Sequence, residues 1–297
     1  MDESGEPGLL EVNGSELYVE RSGPAGAPAL AFVHGGPGYH SYTFSDLIGE
    51  ELSTDHQLVC FDQRGCGRSA PLHSAALGIG DLVADLEQLR RSLGIPRWTL
   101  IGHGVGVVIA LEAARQFPSA VRAVLSVSPW VDFPRLAGQL LRSAAALRGT
   151  AASDPAHDPA HRGRGGLARL EAAFGLVGPA ELLGRMQFRD VRSRMHLEFS
   201  EAASQLAWST EVFWAMARGG LWELDYLPRA AGCPVPQLVV AGSEDATSYP
   251  EQAQELASAC SVPLEVVEAG HFPWVEEPEA FLEALAELER SAGEAAD

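Results

Sequence analysis

The residues of this chain best suited to acid and base chemistry are an aspartate and a histidine near its end. Asp245 follows the apolar run Gln237–Ala241, and His271 follows Leu264–Val267. A carboxylate that accepts a hydrogen bond from an imidazole orients the ring and stabilises its protonated form. We therefore expect Asp245 and His271 to form a catalytic pair, with Glu244 as the second choice for the acid. The alternative is a surface aspartate and an unrelated loop histidine.

A glycine-rich segment, His34-Gly35-Gly36-Pro37-Gly38, comes directly after the apolar run Ala29–Val33. Glycines at the end of a strand let backbone N–H groups face a developing oxyanion without obstruction by side chains. The segment therefore predicts half of an oxyanion hole, although a tight connection between two elements would use the same residues.

A second motif, Asp62-Gln63-Arg64-Gly65-Cys66-Gly67-Arg68-Ser69, follows the next apolar run, Leu58–Phe61. The pairing of these two motifs resembles the proline iminopeptidase family of α/β-hydrolases. The resemblance covers about residues 9–131 and 235–288. It implies that the second motif is a structural loop beside the active site, so we expect Cys66 to be a packed small residue and not a nucleophile.

The resemblance also predicts a nucleophile elbow, G-x-S-x-G, between a strand and a helix. The chain has Gly102-His103-Gly104-Val105-Gly106 in that context, with Gly104 where the serine belongs. Asp245 and His271 then follow in the order acid, base that this fold uses. Glycine has no side chain with which to attack, so an acyl-enzyme route through position 104 is excluded.

Family membership would assign further roles around these motifs. The oxyanion donors would be the N–H groups of Gly36 and Val105. Peptidases of the family bind the substrate amine through lid glutamates, for which Glu198, Glu201, Glu211 and Glu223 are open candidates. We expect the substrate to be contacted by residues beside the motifs and by aromatic residues of the lid: His34, Gly35, His103, Trp130, Trp208, Phe213, Trp214 and Phe272. The lid aromatics, including Trp222, could equally form the lid's own core.

The elements that position these residues follow from the apolar pattern. Asn13-Gly14 between two alternating segments, Leu9–Val12 and Glu16–Glu20, predicts a hairpin. Unbroken apolar runs, typical of parallel strands covered on both faces, occur at Ala29–Val33, Leu58–Phe61, Trp98–Ile101, Val121–Val127, Gln237–Ala241 and Leu264–Val267. Helical spacing separates them at Ile79–Leu93, Val105–Phe117, Glu251–Cys260 and Pro278–Leu288. This alternation predicts an α/β-hydrolase fold with a mostly parallel eight-stranded sheet and helices on both faces.

Between residues 131 and 230 no strand-like run appears. Helical patterns follow one another there at Arg135–Leu147, Leu167–Phe174 and Ser204–Ala217, while Arg148–Gly166 has the composition of a loop. We therefore predict a core domain of residues 1–130 and 231–297 and an inserted helical lid of residues 131–230. His157 and His161 in the loop could pair on a metal, but solvated loop histidines fit the composition better.

Composition excludes several classes of function. The 297 residues carry a formal charge of −19, which disfavours nucleic acid and anionic membrane surfaces as partners. Four scattered cysteines, an acidic N-terminus at residues 1–6 and the absence of a long apolar run indicate a cytoplasmic protein without a membrane span. No metal, nicotinamide or flavin signature occurs, so we expect no cofactor and a hydrophobic small molecule as the ligand.

Three functions fit these observations. The first is non-hydrolytic acid and base chemistry by His271 and Asp245 on a bulky hydrophobic natural product: cyclisation, carbon–carbon bond formation, epoxide opening or a lyase step. The second is an aminopeptidase or esterase in which Gly104 is an engineered replacement of the serine. The third is a binding protein without chemistry, which would have no need for an oriented base.

Overall fold

A computed structural model describes residues 6–294. The first five residues, on which part of the expectation of an acidic N-terminus rests, lie outside the described residues. Among the helices of the described range, none is long and apolar enough to cross a membrane.

One sheet forms the centre of the molecule. Within the described range its eight strands are β1 (Gly8–Val12), β2 (Ser15–Ser22), β3 (Ala29–Val33), β4 (Gln57–Phe61), β5 (Trp98–His103), β6 (Val121–Val127), β7 (Gln237–Gly242) and β8 (Leu264–Val267). Their order across the sheet is β1-β2-β4-β3-β5-β6-β7-β8. The pairs β1–β2 and β2–β4 are antiparallel and the other pairs are parallel, which confirms the predicted sheet. Asn13 and Gly14 turn the hairpin with φ of 48° and 72°.

Helices surround the sheet and follow the strands in alternation. They are α1 (Tyr42–Leu52), α2 (Ile79–Ser92), α3 (Gly106–Gln116), α4 (Phe133–Leu147), α5 (Gly165–Leu176), α6 (Pro179–Met186), α7 (Val191–Ser204), α8 (Thr210–Arg218), α9 (Leu227–Ala230), α10 (Pro250–Cys260), α11 (Pro273–Glu276) and α12 (Pro278–Glu294). Short 3-10 turns occupy Pro155–His157, Pro159–His161 and Leu221–Glu223.

Both faces of the sheet are covered, which explains why its central strands are mostly apolar on both sides. All residues of β5 are buried. Helices α2 and α3 pack with one hydrophobic cluster, and α1 and α12 pack with the other. In the second cluster Phe32 of β3 stacks on Phe44 of α1 with ring centroids 3.7 Å apart. Successive residues of a strand point to opposite faces of the sheet, so they pack into two separate hydrophobic cores.

Helices α4 to α9 lie between β6 and β7, within the range predicted for the lid; the division into two domains stays a prediction. We call this segment the helical insertion. Its two ends are joined at a neck, where the N–H of Tyr226 donates to the carbonyl of Val131 at 2.8 Å and the N–H of Phe133 donates to Leu224 at 3.0 Å. The Tyr226 hydroxyl donates to Glu112 of α3 at 3.0 Å. The neck is thus bonded both to itself and to the core.

The helix predicted at Ser204–Ala217 is confirmed from Thr210 onward but is wrong over residues 205–209. Ser204 ends α7, Gln205 has φ of 55°, and the next helix begins at Thr210, where the Ser209 hydroxyl accepts from the Val212 N–H. Helices α1, α6 and α7 were not predicted. In α7 the apolar side chains of Val191, Met195 and Phe199 are exposed, so the helix lacks the buried apolar stripe on which a sequence pattern depends.

Candidate active site

The predicted catalytic motifs meet at one edge of the sheet, because parallel strands place their carboxyl ends on the same side. The glycine-rich segment follows β3, Gly104 follows β5, Trp130 lies beyond β6, Asp245 beyond β7 and His271 beyond β8. In the sheet β3 is paired with β5, β5 with β6, and β6 with β7. Residues far apart in the chain therefore reach a single site.

Asp245 and His271 are hydrogen-bonded and almost completely buried. The His271 Nδ1–H donates to Asp245 Oδ2 at 2.6 Å. The other oxygen, Oδ1, accepts from the N–H and hydroxyl of Thr247 at 2.8 and 2.7 Å and from the Ser248 N–H at 3.0 Å. The carboxylate is thus fixed by groups other than the imidazole it orients. Thr247 was not predicted, although its position two residues after the aspartate is typical of an Asx turn.

Gly104 lies opposite the free nitrogen of this imidazole. Its φ is +54°, and a Cβ built on it would be 3.6 Å from His271 Nε2, 3.8 Å from Gly35 Cα and 3.9 Å from Trp130 Cδ2. These are ordinary van der Waals distances, so the position has room for a side chain. The flanking glycines are less tolerant: a Cβ on Gly106 would lie 2.0 Å from the Val33 carbonyl oxygen. Tight packing therefore accounts for Gly106, whereas it does not account for Gly104.

Two backbone donors remain without a protein acceptor beside this position. Within residues 6–294, neither the Gly36 N–H nor the Val105 N–H donates to another protein group. Gly36 has φ of 126°, a conformation open to glycine. Val105 immediately precedes α3, where the first N–H groups of a helix have no intrahelical partner. Both features suit the predicted oxyanion donors, whose role stays a prediction.

His103, the residue before Gly104, is hydrogen-bonded to the backbone of His271. Because a carbonyl can only accept, its Nε2–H donates to the backbone carbonyl of His271, at 3.0 Å. The two rings lie 4.4 Å apart. Burial lowers the pKa of His103 well below its usual value, so this ring is neutral and serves as a hydrogen-bond donor to the loop that carries His271.

His34 does not line the substrate cavity, which corrects its predicted role. Its Nδ1–H donates to the Gly35 carbonyl at 2.9 Å, and its Nε2 accepts from the Gln63 N–H at 2.9 Å. The Gln63 side chain in turn donates to the His34 carbonyl at 2.7 Å. Both ring nitrogens are therefore used in joining the two sequence motifs, and burial lowers the pKa of the imidazole.

The hydrogen bonds within the second motif, residues 62–69, suit the structural loop that the family resemblance predicts. Asp62 is fully buried and accepts from Ser41 N–H and Oγ–H at 2.8 Å each and from Arg68 Nε–H at 2.8 Å. Burial opposes ionisation of Asp62, but the hydrogen bonds and charge of Arg68 outweigh it and lower the pKa. Cys66 is buried, and burial raises the pKa of its thiol. A buried thiol of raised pKa is a poor nucleophile.

A cavity of about 300 Å³ opens above the catalytic pair. Of the residues predicted to contact substrate, His103, Trp130, Trp208, Phe213 and Phe272 line it. Trp222 lines it as well.

Two other predicted contacts are absent from the walls of this cavity. Gly35 lies beneath Gly104, where its Cα packs against the position of an added Cβ. Trp214 is 41% exposed on the outer side of α8. The helical spacing of neighbouring aromatic residues could not distinguish the cavity side of α8 from its outer side, because both faces carry large rings.

Of the four candidate glutamates, Glu198 and Glu201 of α7 line the cavity. The hydroxyl of Tyr39, a residue that sequence reasoning missed, donates to Glu201 at 2.5 Å, and burial raises the pKa of Glu201. Arg194 donates to Glu198 at 2.7 Å. Glu223 instead accepts from the N–H groups of Gly166 and Leu167 at the start of α5, and Glu211 is exposed. The cavity therefore combines apolar walls with a carboxylate end.

The structure also bears on metal binding and cysteine chemistry. Over the part of the chain that is described, no three His, Cys, Asp or Glu side chains are grouped in a way that could hold a metal ion. His157 is exposed and His161 is half-buried, and each belongs to a short 3-10 turn. The four cysteines are free thiols.

Comparison with known proteins agrees with this architecture. The proline iminopeptidase-related protein TTHA1809 from Thermus thermophilus is 38% identical over 95% of this chain and 96% of its own, with a TM-score of 0.84. The proline iminopeptidase from Mycobacterium smegmatis shares the fold at 22% identity, with a TM-score of 0.72 over 98% of this chain and 100% of its own.

A curated relative matches a shorter region. "Putative carbamate hydrolase RutD" from Escherichia coli O81 (strain ED1a) is 32% identical over 107 residues, which are 36% of this chain and 40% of that protein. The family model described as "alpha/beta hydrolase fold" matches residues 28–278. Since that match includes strands β3 to β8, Asp245, His271 and the helical insertion, the protein belongs to the alpha/beta hydrolase fold family.

Proposed function

We propose that this protein is a cofactor-free enzyme in which His271, oriented by Asp245, transfers protons directly to and from a bound small molecule, without an acyl-enzyme intermediate. The observation that carries the proposal is the pair itself. The imidazole is bonded to Asp245 at 2.6 Å, while Nε2 faces Gly104, which offers it no hydroxyl to deprotonate. The group within its reach is then the ligand.

The reaction class follows from what surrounds that nitrogen. The unpaired N–H groups of Gly36 and Val105 can stabilise an oxyanion or enolate that forms as His271 removes a proton. The protonated His271 then returns the proton to that oxyanion, or to the leaving group whose bond breaks. Cyclisation, carbon–carbon bond formation and lyase steps of natural product biosynthesis can follow this sequence. In epoxide opening the protonated His271 donates to the epoxide oxygen as a nucleophile of the ligand attacks carbon and the C–O bond breaks.

The volume and lining of the cavity limit the kinds of ligand that we expect. Its volume of about 300 Å³ lies at the lower end of the range for small-molecule sites. Most of its walls are aromatic or aliphatic, and Glu198 and Glu201 supply carboxylates on one side. We therefore propose a compact, mostly apolar ligand in place of a bulky one.

A general-base reaction that needs no natural substrate tests the proposal. In 5-nitrobenzisoxazole a base removes the C3 proton while the N–O bond breaks to give a phenolate. We expect the protein to accelerate this elimination about 100-fold over buffer, which is the lower range for a positioned base. Release of the coloured phenolate measures the rate. His271→Ala should abolish the acceleration, and His73→Ala, which removes an exposed histidine, should preserve it.

A rate equal to that of buffer, or equal rates for the protein and its His271→Ala variant, would show that His271 is not an accessible base. In that case the third candidate, a binding protein without chemistry, would account better for the retained cavity.

A second candidate is a serine hydrolase in which Gly104 replaces the serine. The room beside Gly104 favours it, since a Cβ would contact His271 Nε2 at 3.6 Å. The carboxylates of Glu198 and Glu201 could bind a substrate amine, as the family resemblance implies. The natural gene decides between the candidates: a serine codon at position 104 would establish the hydrolase, and a glycine codon would exclude an engineered replacement.

A further inference from the structure

The loop between α7 and α8 of the helical insertion contacts the glycine-rich segment. The Trp208 indole N–H donates to the Pro37 carbonyl at 2.6 Å. The N–H of the next residue, Ser209, donates to the Gly38 carbonyl at 2.8 Å. Two consecutive residues of the insertion therefore bind two consecutive carbonyls of the segment. We call this contact the Trp208 clamp.

The clamp depends on close approach of the two backbones. A Cβ on Gly38 would lie 2.4 Å from the Ser209 carbonyl oxygen and 3.1 Å from Trp208 Nε1, and Gly38 has φ of +92°. A side chain at Gly38 would thus push the insertion away and also strain the backbone. Contact with the insertion gives this glycine of the motif a role separate from that of Gly36.

The same tryptophan faces the ligand space. Trp208 lines the cavity together with Pro37 and Gly36. Its ring packs edge-on against Phe213 at 5.1 Å, and Phe213 is buried in α8. One rigid side chain therefore contacts the cavity, the core of the insertion and the segment that carries the predicted oxyanion donor.

We infer that Trp208 is a positioning residue, which holds the Pro37 carbonyl so that the N–H of Gly36 faces the ligand. The inference rests on the proposed function, because it assigns Gly36 a part in stabilising developing negative charge. The Pro37 carbonyl and the Gly36 N–H are separated by few bonds, so fixing one restricts the orientation of the other. A ligand that packs against Trp208 would then favour the orientation of the Gly36 N–H that the reaction needs.

The variant Trp208→Phe tests this role, since phenylalanine keeps an apolar ring but has no N–H donor. For the elimination of 5-nitrobenzisoxazole we expect kcat to fall about tenfold, the size of one lost hydrogen bond, with KM changed less than about twofold, since the ring still contributes equally to ground-state and transition-state binding. Trp214→Phe is the matched control, because Trp214 is a tryptophan of the neighbouring helix α8 that does not line the cavity. Thermal unfolding of each variant identifies any loss of fold.

Amide hydrogen exchange of Gly36, Gly38, Tyr39 and His40 supplies a readout that does not depend on turnover. We expect these amides to exchange about tenfold faster in Trp208→Phe and unchanged in Trp214→Phe. Unchanged exchange in Trp208→Phe would overturn the clamp, and faster exchange with an unchanged kcat would overturn its link to catalysis. If the parent protein has no turnover, the proposed function fails, and the exchange result alone decides whether the clamp holds the segment.

Discussion

At the scale of single residues, the chemistry of this site depends on what lies opposite His271 Nε2. The imidazole is oriented as in a hydrolase, by a buried carboxylate that Thr247 and Ser248 also hold. Gly104 has no side chain, although the space beside it would accept a Cβ. A base without an adjacent hydroxyl can act only on the ligand or on water.

Restoring a hydroxyl at this position should create an esterase. In Gly104→Ser the Cβ fits without displacing a neighbour, and Oγ comes within reach of His271 Nε2. We expect the variant to hydrolyse p-nitrophenyl acetate. The release of p-nitrophenolate measures the rate. A serine held at the φ of +54° of Gly104 should lower the free energy of unfolding by about 1 kcal/mol.

Gly104→Ala is the control for this change, since it carries the same backbone cost without a nucleophile. Esterase activity of Gly104→Ser no higher than that of Gly104→Ala would contradict the placement of His271 as the activating base. Loss of the new activity in Gly104→Ser/His271→Ala would support it.

At the scale of elements, the neck of the helical insertion determines how the cavity walls sit above the sheet. Tyr226 is buried, and its hydroxyl donates to Glu112 of α3. Glu112 also accepts from Arg115, whose hydrogen bond is the main reason why the pKa of Glu112 falls to about 2. A charged acceptor in the core thus fixes the base of the insertion.

Removing this bond should destabilise the protein without altering the catalytic pair. We expect Tyr226→Phe to lower the free energy of unfolding by about 1 kcal/mol, because one donor to a buried carboxylate is lost. Urea denaturation measures the change. Tyr249→Phe, at the start of α10 beside Arg135, is the control, and equal stabilities of the two variants would argue against a stabilising neck.

At the scale of the whole molecule, three buried neutral histidines lie around one edge of the sheet. Burial lowers the pKa values of His34 and His103, and it lowers that of His40 to about 4. His40 stacks on Tyr39 with ring centroids 4.5 Å apart. Acidification of the folded protein must therefore place protons on imidazoles that are shielded from water. This shielding keeps the imidazoles neutral although the chain as a whole carries a formal charge of −19.

Stability should consequently fall as the pH drops from about 6.5 to about 4. In this interval the unfolded chain binds protons at these histidines and the folded protein does not, so protonation favours unfolding. For His40 alone the contribution is on the order of 3 kcal/mol, fully present above about pH 6.5. Melting temperatures measured across this range should change less steeply in His40→Phe, which keeps the ring stacked on Tyr39. The role of His40 would be contradicted if the melting temperature of His40→Phe changed with pH as steeply as that of the parent protein. It would also be contradicted if His73→Phe, at the surface, reduced the pH dependence equally.

Features that depend on local pattern could be predicted from the amino-acid sequence. Asn13-Gly14 predicted the hairpin, because its preferred backbone conformation is intrinsic to those residues. Apolar runs predicted β3 to β8 within about a residue at most ends, and motif order placed Asp245 and His271 after the last two strands. The lack of a side chain at position 104, on which the prediction of non-hydrolytic chemistry rests, could also be read directly.

The tertiary structure alone decided which side chains share a contact. The imidazole of His34 looked available in the motif, yet both its nitrogens bind backbone groups of the two loops. Glu201 reaches the cavity and Glu223 caps a helix, although both are glutamates of the insertion. Likewise Trp208 meets Pro37 across 171 positions of the chain. Such contacts depend on how distant elements pack, and no local periodicity records that arrangement.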